Sequence, residues 1–333
     1  MAAASQNHRT AAHKPALAAF AGLGSAWVFV LVTLGAFTTS IGAGMAFPDW
    51  PLSNGSINPE GWLTDISKFA EHSHRLTGIM MGLITMGIVV WVWRREERTW
   101  LRHLALWALG TVILQGLIGG QRVTLNAIAV PSFQMSLGEM LRIPHGILAQ
   151  VYVCILIALA ISLSRTWIER PLPVGPAVRR IGVVCCALLF VQLAIAATMR
   201  HNHAGLALFV FPHSTPEGGW LPHDWNFGVA IHFAHRAMAV VLAIALTLFA
   251  WAIRRDRAAT VGMKAGASAV LSLIVLQILL GGLIIWTRRS PEAATAHVAV
   301  GALTLAVTFW LTWSAHRDRI DGSLPLVARP IAA

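Results

Sequence analysis

The stretch Glu71-His72-Ser73-His74-Arg75 opens an apolar run that continues to Trp93. Positions 71, 74 and 75 share one helix face because they stand three and four residues apart, and that face enters a hydrophobic segment. Ionisable side chains in such segments are costly and are kept mainly where they bind or transfer something. The pattern returns 161 residues later as His232-Phe233-Ala234-His235-Arg236, again opening an apolar run. The chain therefore contains an internal repeat.

The composition is typical of a polytopic membrane protein. Of the 333 residues, 56% are hydrophobic and 12% are charged, and the mean hydropathy of +0.65 lies outside the range of soluble domains. A helix needs about 20 apolar residues to cross a bilayer. The sequence predicts an all-α protein with spanning helices at 17–39, 70–93, 104–125, 143–164, 177–199, 228–253, 265–286 and 293–314.

The basic residues predict the topology. The net charge is +11, but the basic side chains do not form one patch, so no nucleic-acid partner is indicated. With the N-terminus in the cytoplasm, 17 of the 25 Lys and Arg residues lie in cytoplasmic segments, and the positive-inside rule then places both termini in the cytoplasm. We expect a multi-pass protein of the inner (cytoplasmic) membrane. The 17 residues are Arg9, Lys14, Arg94, Arg95, Arg98, Arg102, Arg165, Arg170, Arg179, Arg180, Arg254, Arg255, Arg257, Lys264, Arg317, Arg319 and Arg329.

The repeat predicts the domain organisation. Helices one to four and five to eight form two tandem four-helix bundles related by a pseudo-twofold axis, and they have the same orientation because four is an even number. The expected segments are a cytoplasmic tail (1–16), an N-terminal half (17–164), a linker (165–176), a C-terminal half (177–314) and a second cytoplasmic tail (315–333).

Two further motifs repeat. In the third predicted helix, three residues separate Gln115 from the pair Gly119-Gly120, and in the seventh the same spacing separates Gln277 from Gly281-Gly282. Small residues allow a helix or a flat ligand to approach the backbone closely, and helix packing is the simpler of these two interpretations. After the first and fifth helices, Ala-Gly and Phe-Pro pairs recur at looser spacing, and the two prolines of residues 48–51 are expected to end the first helix.

Four histidines occupy equivalent places at the outer ends of helices two, four, six and eight: His74, His145, His235 and His297. A single histidine in a membrane helix is more often a packing residue, but two pairs repeated within one chain favour a ligand role. Two imidazoles from parallel helices are able to hold an iron porphyrin, whereas zinc needs three or four converging ligands. A haem also carries two propionates. Five arginines are candidates to neutralise them: Arg75, Arg236, Arg200, Arg142 and Arg122.

The halves differ at one informative position, because Glu71 in the first corresponds to His232 in the second. One turn from a presumed ligand, a carboxylate is suited to proton transfer. The structural alternative is an ion pair between Glu71 and Arg75 at positions i and i+4. His72 is expected on another face of the helix, at the membrane interface.

The sequence resembles the haem A synthase family over roughly residues 15–315. The resemblance rests on Gly-Ala-Gly-Met-Ala-Phe-Pro-Asp-Trp-Pro at 42–51, on Glu71-x-x-His74-Arg75 and Pro144-His145-Gly146, and on His235-Arg236 and His297. It implies an oxidoreductase with two four-helix halves, each with a haem site near the outer face. Such an enzyme oxidises the C8 methyl group of haem O to a formyl group, through two hydroxylations and loss of water, and so gives haem A for terminal oxidases.

Carried over by position, the resemblance assigns a role to each motif residue. His74 and His145 would ligate the iron of the substrate haem O, with Arg75 in that site, and Glu71 would be the catalytic residue. His235 and His297 would ligate a haem B cofactor, with Arg236 beside it. Ser53 departs from the pattern, because many bacterial members have a cysteine there.

The implied partners are haem O, membrane lipid, an electron donor and a haem O synthase that hands over its product, since haem O is too apolar to diffuse through water. A homo-oligomer is also compatible with this class of protein. The alternative function is a non-catalytic membrane cytochrome that carries two haem B groups and transfers electrons. That alternative predicts no farnesylated haem on the protein.

Overall fold

The computed structural model describes residues 12–131, 135–169 and 174–322, and the fold is all-α apart from one short hairpin. The hairpin pairs β1 (Ala129–Val130) with β2 (Met135–Ser136), antiparallel. A 3-10 turn covers Ala204–Leu206. The helices are α1 (Pro15–Ser40), α2 (Ile66–Arg95), α3 (Thr99–Thr124), α4 (Leu137–Met140), α5 (Arg142–Ser162), α6 (Arg165–Glu169), α7 (Pro176–His201), α8 (Phe227–Arg255), α9 (Val261–Trp286), α10 (Pro291–Ala315) and α11 (Arg317–Ile320).

Within those residues, eight helices are long and apolar enough to span a membrane, with α4 and α5 acting as one span. The eight predicted helices are therefore confirmed, and their bounds differ by a few residues. For example, α2 begins four residues before its predicted start, because Asp65 accepts hydrogen bonds from the backbone N–H groups of Ser67 and Lys68 and so caps a polar first turn. Three of the basic residues used to predict the topology, Arg9, Arg170 and Arg329, lie outside the described residues.

The spanning helices form two rings of four. In one ring α1, α2, α3 and α5 pack in sequence, and in the other α7, α8, α9 and α10 do the same. The rings meet through α1 and α5 of the first and α7 and α10 of the second. Four helices therefore surround the central axis of each ring.

Apolar packing fills only one end of each ring. The first core cluster joins Leu17, Ile88 and Leu159, and the second joins Phe249 and Leu311 with their neighbours. These residues lie toward the end of the bundle that carries the N-terminus of α1. We call the opposite end, which carries the loops 41–65 and 202–226, the outer end. All four candidate histidines lie there, beyond the apolar clusters.

A glycine, and not a proline, ends α1. The helix stops at Ser40, and Gly42 follows with a φ of +74°, the left-handed conformation that commonly closes a helix. The predicted end of the helix at residue 39 is therefore confirmed to within one residue, and the prolines at 48 and 51 lie in the loop, after the Gly-Ala-Gly segment has turned the chain. Residues 43–53 are thereby free to run across the outer end.

A charged network closes the other end. Glu96 is fully buried and receives two hydrogen bonds from the Arg98 guanidinium, at 3.0 and 3.1 Å, and Lys14 lies 3.5 Å away. Arg98 also donates to Asp321, at 3.0 Å. Burial raises the pKa of Glu96, but the hydrogen bonds and charge of Arg98, together with Lys14, outweigh it and hold the pKa below its ordinary value of 4.5. The network ties α1, α3 and the segment after α11 together.

We expect Glu96→Gln to lower the free energy of unfolding by about 1–3 kcal/mol, because it removes the buried charge that two partly buried cations face. Since the pKa is lower in the folded than in the unfolded protein, the carboxylate stabilises the fold above about pH 4.5, and this contribution is lost as the pH falls below that value. Thermal melts of the detergent-purified protein between pH 7 and 3.5 measure both effects. The acid-induced loss should be smaller in the variant; an identical pH profile in the two proteins would refute this account.

Candidate functional site

A buried guanidinium fixes the first outer loop onto α2. Arg75 donates to the backbone carbonyls of Asp49, Leu52 and Phe47, at 2.8, 2.6 and 3.2 Å. It also forms a 2.7 Å ion pair with Glu71. A guanidinium carries five donors and no acceptor, so one side chain can satisfy several loop carbonyls at once. Arg75 therefore holds residues 47–52 over the end of the helix.

The second outer loop is held in the same way. Arg236 donates to the carbonyls of Leu208, Val210 and His213, each at 2.9 Å. These residues stand 161 positions after the three that Arg75 contacts. The proline that matches Pro51 is therefore Pro212, and the peptide bonds Trp50-Pro51 and Phe211-Pro212 are both cis. The spacing of 161 residues is thus constant along the two loops. The looser spacing expected from the Phe-Pro pairs is wrong, because the aromatic residue before the proline differs between the copies.

Glu71 and His232 occupy the same place in these two frames. The backbone N–H of Phe47 donates to Glu71 Oε2 at 3.1 Å, and that of Leu208 lies 3.2 Å from His232 Nδ1. The arginine four residues on lies against the other polar atom of each side chain: Arg75 donates to Glu71 Oε1 at 2.7 Å, and Arg236 Nε lies 3.2 Å from His232 Nε2. A carboxylate accepts both donors, whereas a neutral imidazole has a single acceptor nitrogen. The first frame therefore accepts both hydrogen bonds at once, and the second accepts only one.

The four candidate histidines face the inside of their rings. Each of these histidines keeps some accessible surface although it lies between helices, so open space adjoins its side chain. Nδ1 is buried and without a hydrogen-bond partner within the described residues in His74, His145 and His297. No hydrogen bond among those residues engages the Nε2 atom of any of the four. In three of the histidines Nδ1 is fully buried whereas Nε2 is not, and in His235 Nδ1 lies against Gln192, so Nε2 is the nitrogen that is able to reach a metal.

The second pair has the spacing that a shared iron requires. The ring centres of His235 and His297 lie 6.3 Å apart, with an angle of 60° between their planes. Metal–nitrogen bonds are about 2 Å long, and a ring centre lies roughly 1 Å beyond the nitrogen, so two imidazoles on one iron have centres about 6 Å apart. This geometry and the open Nε2 atoms fit a haem iron between the two rings.

The Gln-Gly motifs support these rings. Gln115 donates to the backbone carbonyl of His145 at 3.0 Å, and Gln277 does the same for His297 at 3.0 Å. The first glycine of each pair faces the imidazole: a Cβ at Gly119 would lie 3.2 Å from the ring of His145. The motif thus serves helix packing, which places the histidine, and the close approach of a flat ligand stays a prediction.

The second glycine of each pair makes room for the loop. A Cβ at Gly120 would lie 2.4 Å from the indole of Trp50, and one at Gly282 would lie 2.9 Å from the ring of Phe211. Any side chain at these positions would push the aromatic residue away. The loop aromatics are therefore wedged against α3 and α9, directly above the histidine pairs.

Two further arginines lie buried near the histidines. Arg122 donates to the carbonyl of Gly44 at 2.6 Å, and Arg200 donates across the contact between the rings to Ala36 O and to Ser40 Oγ, at 3.0 and 2.9 Å. Within the described ranges neither has a carboxylate partner. Both therefore keep an uncompensated positive charge, unlike Arg75, whose donors are used by the loop and by Glu71.

Sequence reasoning did not anticipate the surroundings of two residues. His72 is buried beneath the first outer loop: it is 3% exposed, its Nδ1 lies 3.1 Å from Ser53 Oγ, and Trp62 packs edge-on against its ring. The loop covers it, and only the fold of the loop reveals that. Gln192 was not singled out, yet its amide lies 3.0 Å from His235 Nδ1. Gln192 stands 161 residues after Leu31, so the repeat places a polar residue in the second half where the first half has an apolar one. That difference was the available sequence signal.

Fold and site together define a multi-pass membrane protein that repeats a four-helix ring with a buried histidine pair at one end. The chain belongs to the COX15-CtaA family, described as cytochrome oxidase assembly protein, whose sequence model matches residues 18–309.

Curated relatives carry the name heme A synthase. A protein of Bacillus licheniformis is 29% identical over 82% of this chain and 86% of its own length. One from Sphingopyxis alaskensis is 29% identical over 84% of this chain and 86% of its own. A third, from Rhizorhabdus wittichii, is 26% identical over 91% and 95%. The similarity therefore extends over both halves.

We expect Arg75→Gln to release residues 47–52, because it removes three bonds from a charged donor, each contributing about 1.5–3 kcal/mol. Amide hydrogen exchange in that segment should accelerate tenfold or more, and Arg236→Gln should do the same for residues 208–213. Each variant serves as the control for the other, since each should leave the opposite loop unchanged. Equal acceleration of both loops in either variant would indicate general unfolding instead.

Proposed function

We propose that this protein is a haem A synthase that oxidises the C8 methyl group of haem O to the formyl group of haem A. Family membership and the names of the relatives support this function. The observation that carries the mechanism is Glu71, a buried carboxylate in the frame where the second half has His232. A repeat that differs at one buried polar group suggests that the two sites do different chemistry.

In this proposal His74 and His145 hold the iron of the substrate haem O, and His235 and His297 hold that of a haem B cofactor. The 6.3 Å separation of the second pair supports the cofactor assignment. When bound, haem B supplies one-electron transfer to and from the substrate site. The halves 17–164 and 177–314 are then a substrate unit and an electron-transfer unit.

The residues around the substrate pair bind, orient and exclude water. Glu71 holds or accepts a proton one turn from His74, and the Arg75 guanidinium and the Phe47 N–H fix its carboxyl group in place. Arg75 and Arg236 act in their sites by holding the loops that cover them. Arg122 and Arg200, which have no carboxylate partner within the described residues, are the proposed partners of the haem propionates.

The same proposal includes the membrane arrangement. The two rings are tandem bundles related by a pseudo-twofold axis in the inner (cytoplasmic) membrane, with the tails 1–16 and 315–333 and the linker 165–176 in the cytoplasm. The constant spacing of 161 between the two loop frames supports the axis, and the basic residues support the orientation. Lipid surrounds the rings, and a homo-oligomer is compatible with them.

The chemistry of the substrate suggests its supplier. Haem O carries a long apolar chain, so transfer within the membrane from a haem O synthase avoids exposing it to water. A separate electron donor or acceptor must exchange electrons with the haem B site, because oxidation of a methyl group to a formyl group removes four electrons. We propose both as partners of this protein.

Replacing Glu71 with His tests the mechanism with a residue that the fold already accepts. Because His232 occupies the equivalent frame, Glu71→His should preserve the loop and the haem content. Formation of haem A should fall by about 100-fold or more, the contribution typical of a positioned acid–base group. The measurement is haem A in membranes of cells that supply haem O, with the reverse change, His232→Glu, as the matched control. Unaltered haem A output would reduce Glu71 to a structural ion pair.

Extraction of the haems tests the function as a whole. Reversed-phase chromatography with mass detection should find haem B together with haem O, a hydroxylated form of it or haem A on the purified protein. His74→Ala should deplete the farnesylated haem, and His297→Ala should deplete haem B. Two haem B groups per chain, even with haem O supplied, would instead support the electron-transfer cytochrome.

A further inference from the structure

Side-chain amides hold the backbones of three candidate ligands. Each amide donates from a neighbouring helix to the carbonyl of the histidine itself. The three bonds are Gln115 to His145 (3.0 Å), Gln192 to His235 (3.1 Å) and Gln277 to His297 (3.0 Å). The fourth histidine, His74, receives no such bond among the described residues, because Leu31 stands on α1 where α7 carries Gln192.

The difference between Leu31 and Gln192 also changes the surroundings of the imidazole in each half. Gln192 places its amide 3.0 Å from Nδ1 of His235, whereas Nδ1 of His74 is buried and has no partner within the described residues. The ring of His74 lies instead against the backbone of Gly35, where a Cβ would come within 2.8 Å of it. A side-chain amide thus adjoins the ring of His235, whereas among the described residues the ring of His74 has only the backbone of Leu31 and Gly35 beside it.

A polar partner at the second nitrogen matters for a metal ligand. An imidazole that binds iron through Nε2 keeps its proton on Nδ1, and an acceptor there fixes the orientation of the ring and makes it a stronger donor. The amide of Gln192 meets that need after a half-turn that brings Oε1 to Nδ1. In the present arrangement Nε2 is the amide atom beside Nδ1, and Oε1 is buried without a partner among the described residues. The half-turn therefore exchanges the bond from Nε2 to the His235 carbonyl for an acceptor at Nδ1.

We infer that Gln192 is a positioning residue that makes the His235–His297 site a permanent haem site, while Leu31 leaves His74 a releasable ligand. This rests on the proposed function: a synthase has to retain its cofactor but release its product. The difference between Gln192 and Leu31 assigns slow exchange to the second site and fast exchange to the first.

The test uses the two halves as controls for each other. Full-length protein in detergent is loaded with haem B at both sites, and haem loss to an excess of a haem-accepting apoglobin is followed by absorbance. Wild type should show a slow and a fast phase. Gln192→Leu should accelerate the slow phase by about 10–100-fold, the usual effect of removing such a partner, and Leu31→Gln should slow the fast phase.

A third variant separates the ring contact from the backbone contact. Gln277→Leu removes only the bond to the His297 carbonyl, so it should alter the slow phase much less than Gln192→Leu does. Equal effects of these two variants, or a single phase in the wild type, would overturn the inference. If Gln192→Leu does not fold, an unchanged fast phase in Leu31→Gln refutes it independently. Because exchange is read with haem B alone, a protein that forms no haem A still gives a clear result.

Discussion

The outer end depends on two buried guanidinium groups that bind backbone carbonyls. A loop that crosses the top of a membrane bundle has few backbone partners of its own, and unsatisfied carbonyls are costly there. Arg75 and Arg236 supply these donors from within the helices, so each loop is fixed at the level of the histidine one residue before the arginine. The His-Arg pair in the sequence is therefore one structural motif. Its histidine faces the interior of the helix ring, and its arginine holds the loop that covers that interior.

This motif explains where the remaining small residues occur. Once the loop is fixed, its aromatic residue must fit against α3 or α9, and only glycine leaves the space at positions 120 and 282. Gly44 has the same role toward Arg122, whose guanidinium nitrogen would collide with any Cβ at that position. Apolar packing is confined to the other end of each ring, so the outer end is shaped by polar contacts and close approaches.

Much of this was predictable from sequence. Length and hydropathy specify the eight helices, and the recurrence of a histidine-arginine pair after 161 residues specifies the repeat, because a spanning helix and a buried charge each have a strong physical signature. The loop contacts were not predictable, since Arg75 binds backbone carbonyls, which carry no sequence signal. The burial of His72 was not predictable for the same reason, because the loop that packs it against Ser53 and Trp62 is a tertiary feature.

The repeat also shows how two copies of one site acquire different properties without a change of fold. The shared frame of arginine, loop carbonyls and glycine keeps both loops in place, so single positions inside it are free to diverge. Where the second half has His232 the first half has Glu71, so the charge one turn before the histidine differs. Where the second half has Gln192 the first half has Leu31, so the polarity next to the imidazole differs. Both differences lie close to His74, which stands one helical turn from a carboxyl group and has no side-chain amide at its ring within the described residues. That combination suits a site where a ligand is bound, altered and released, whereas the tethered imidazole of His235 suits one that keeps its ligand.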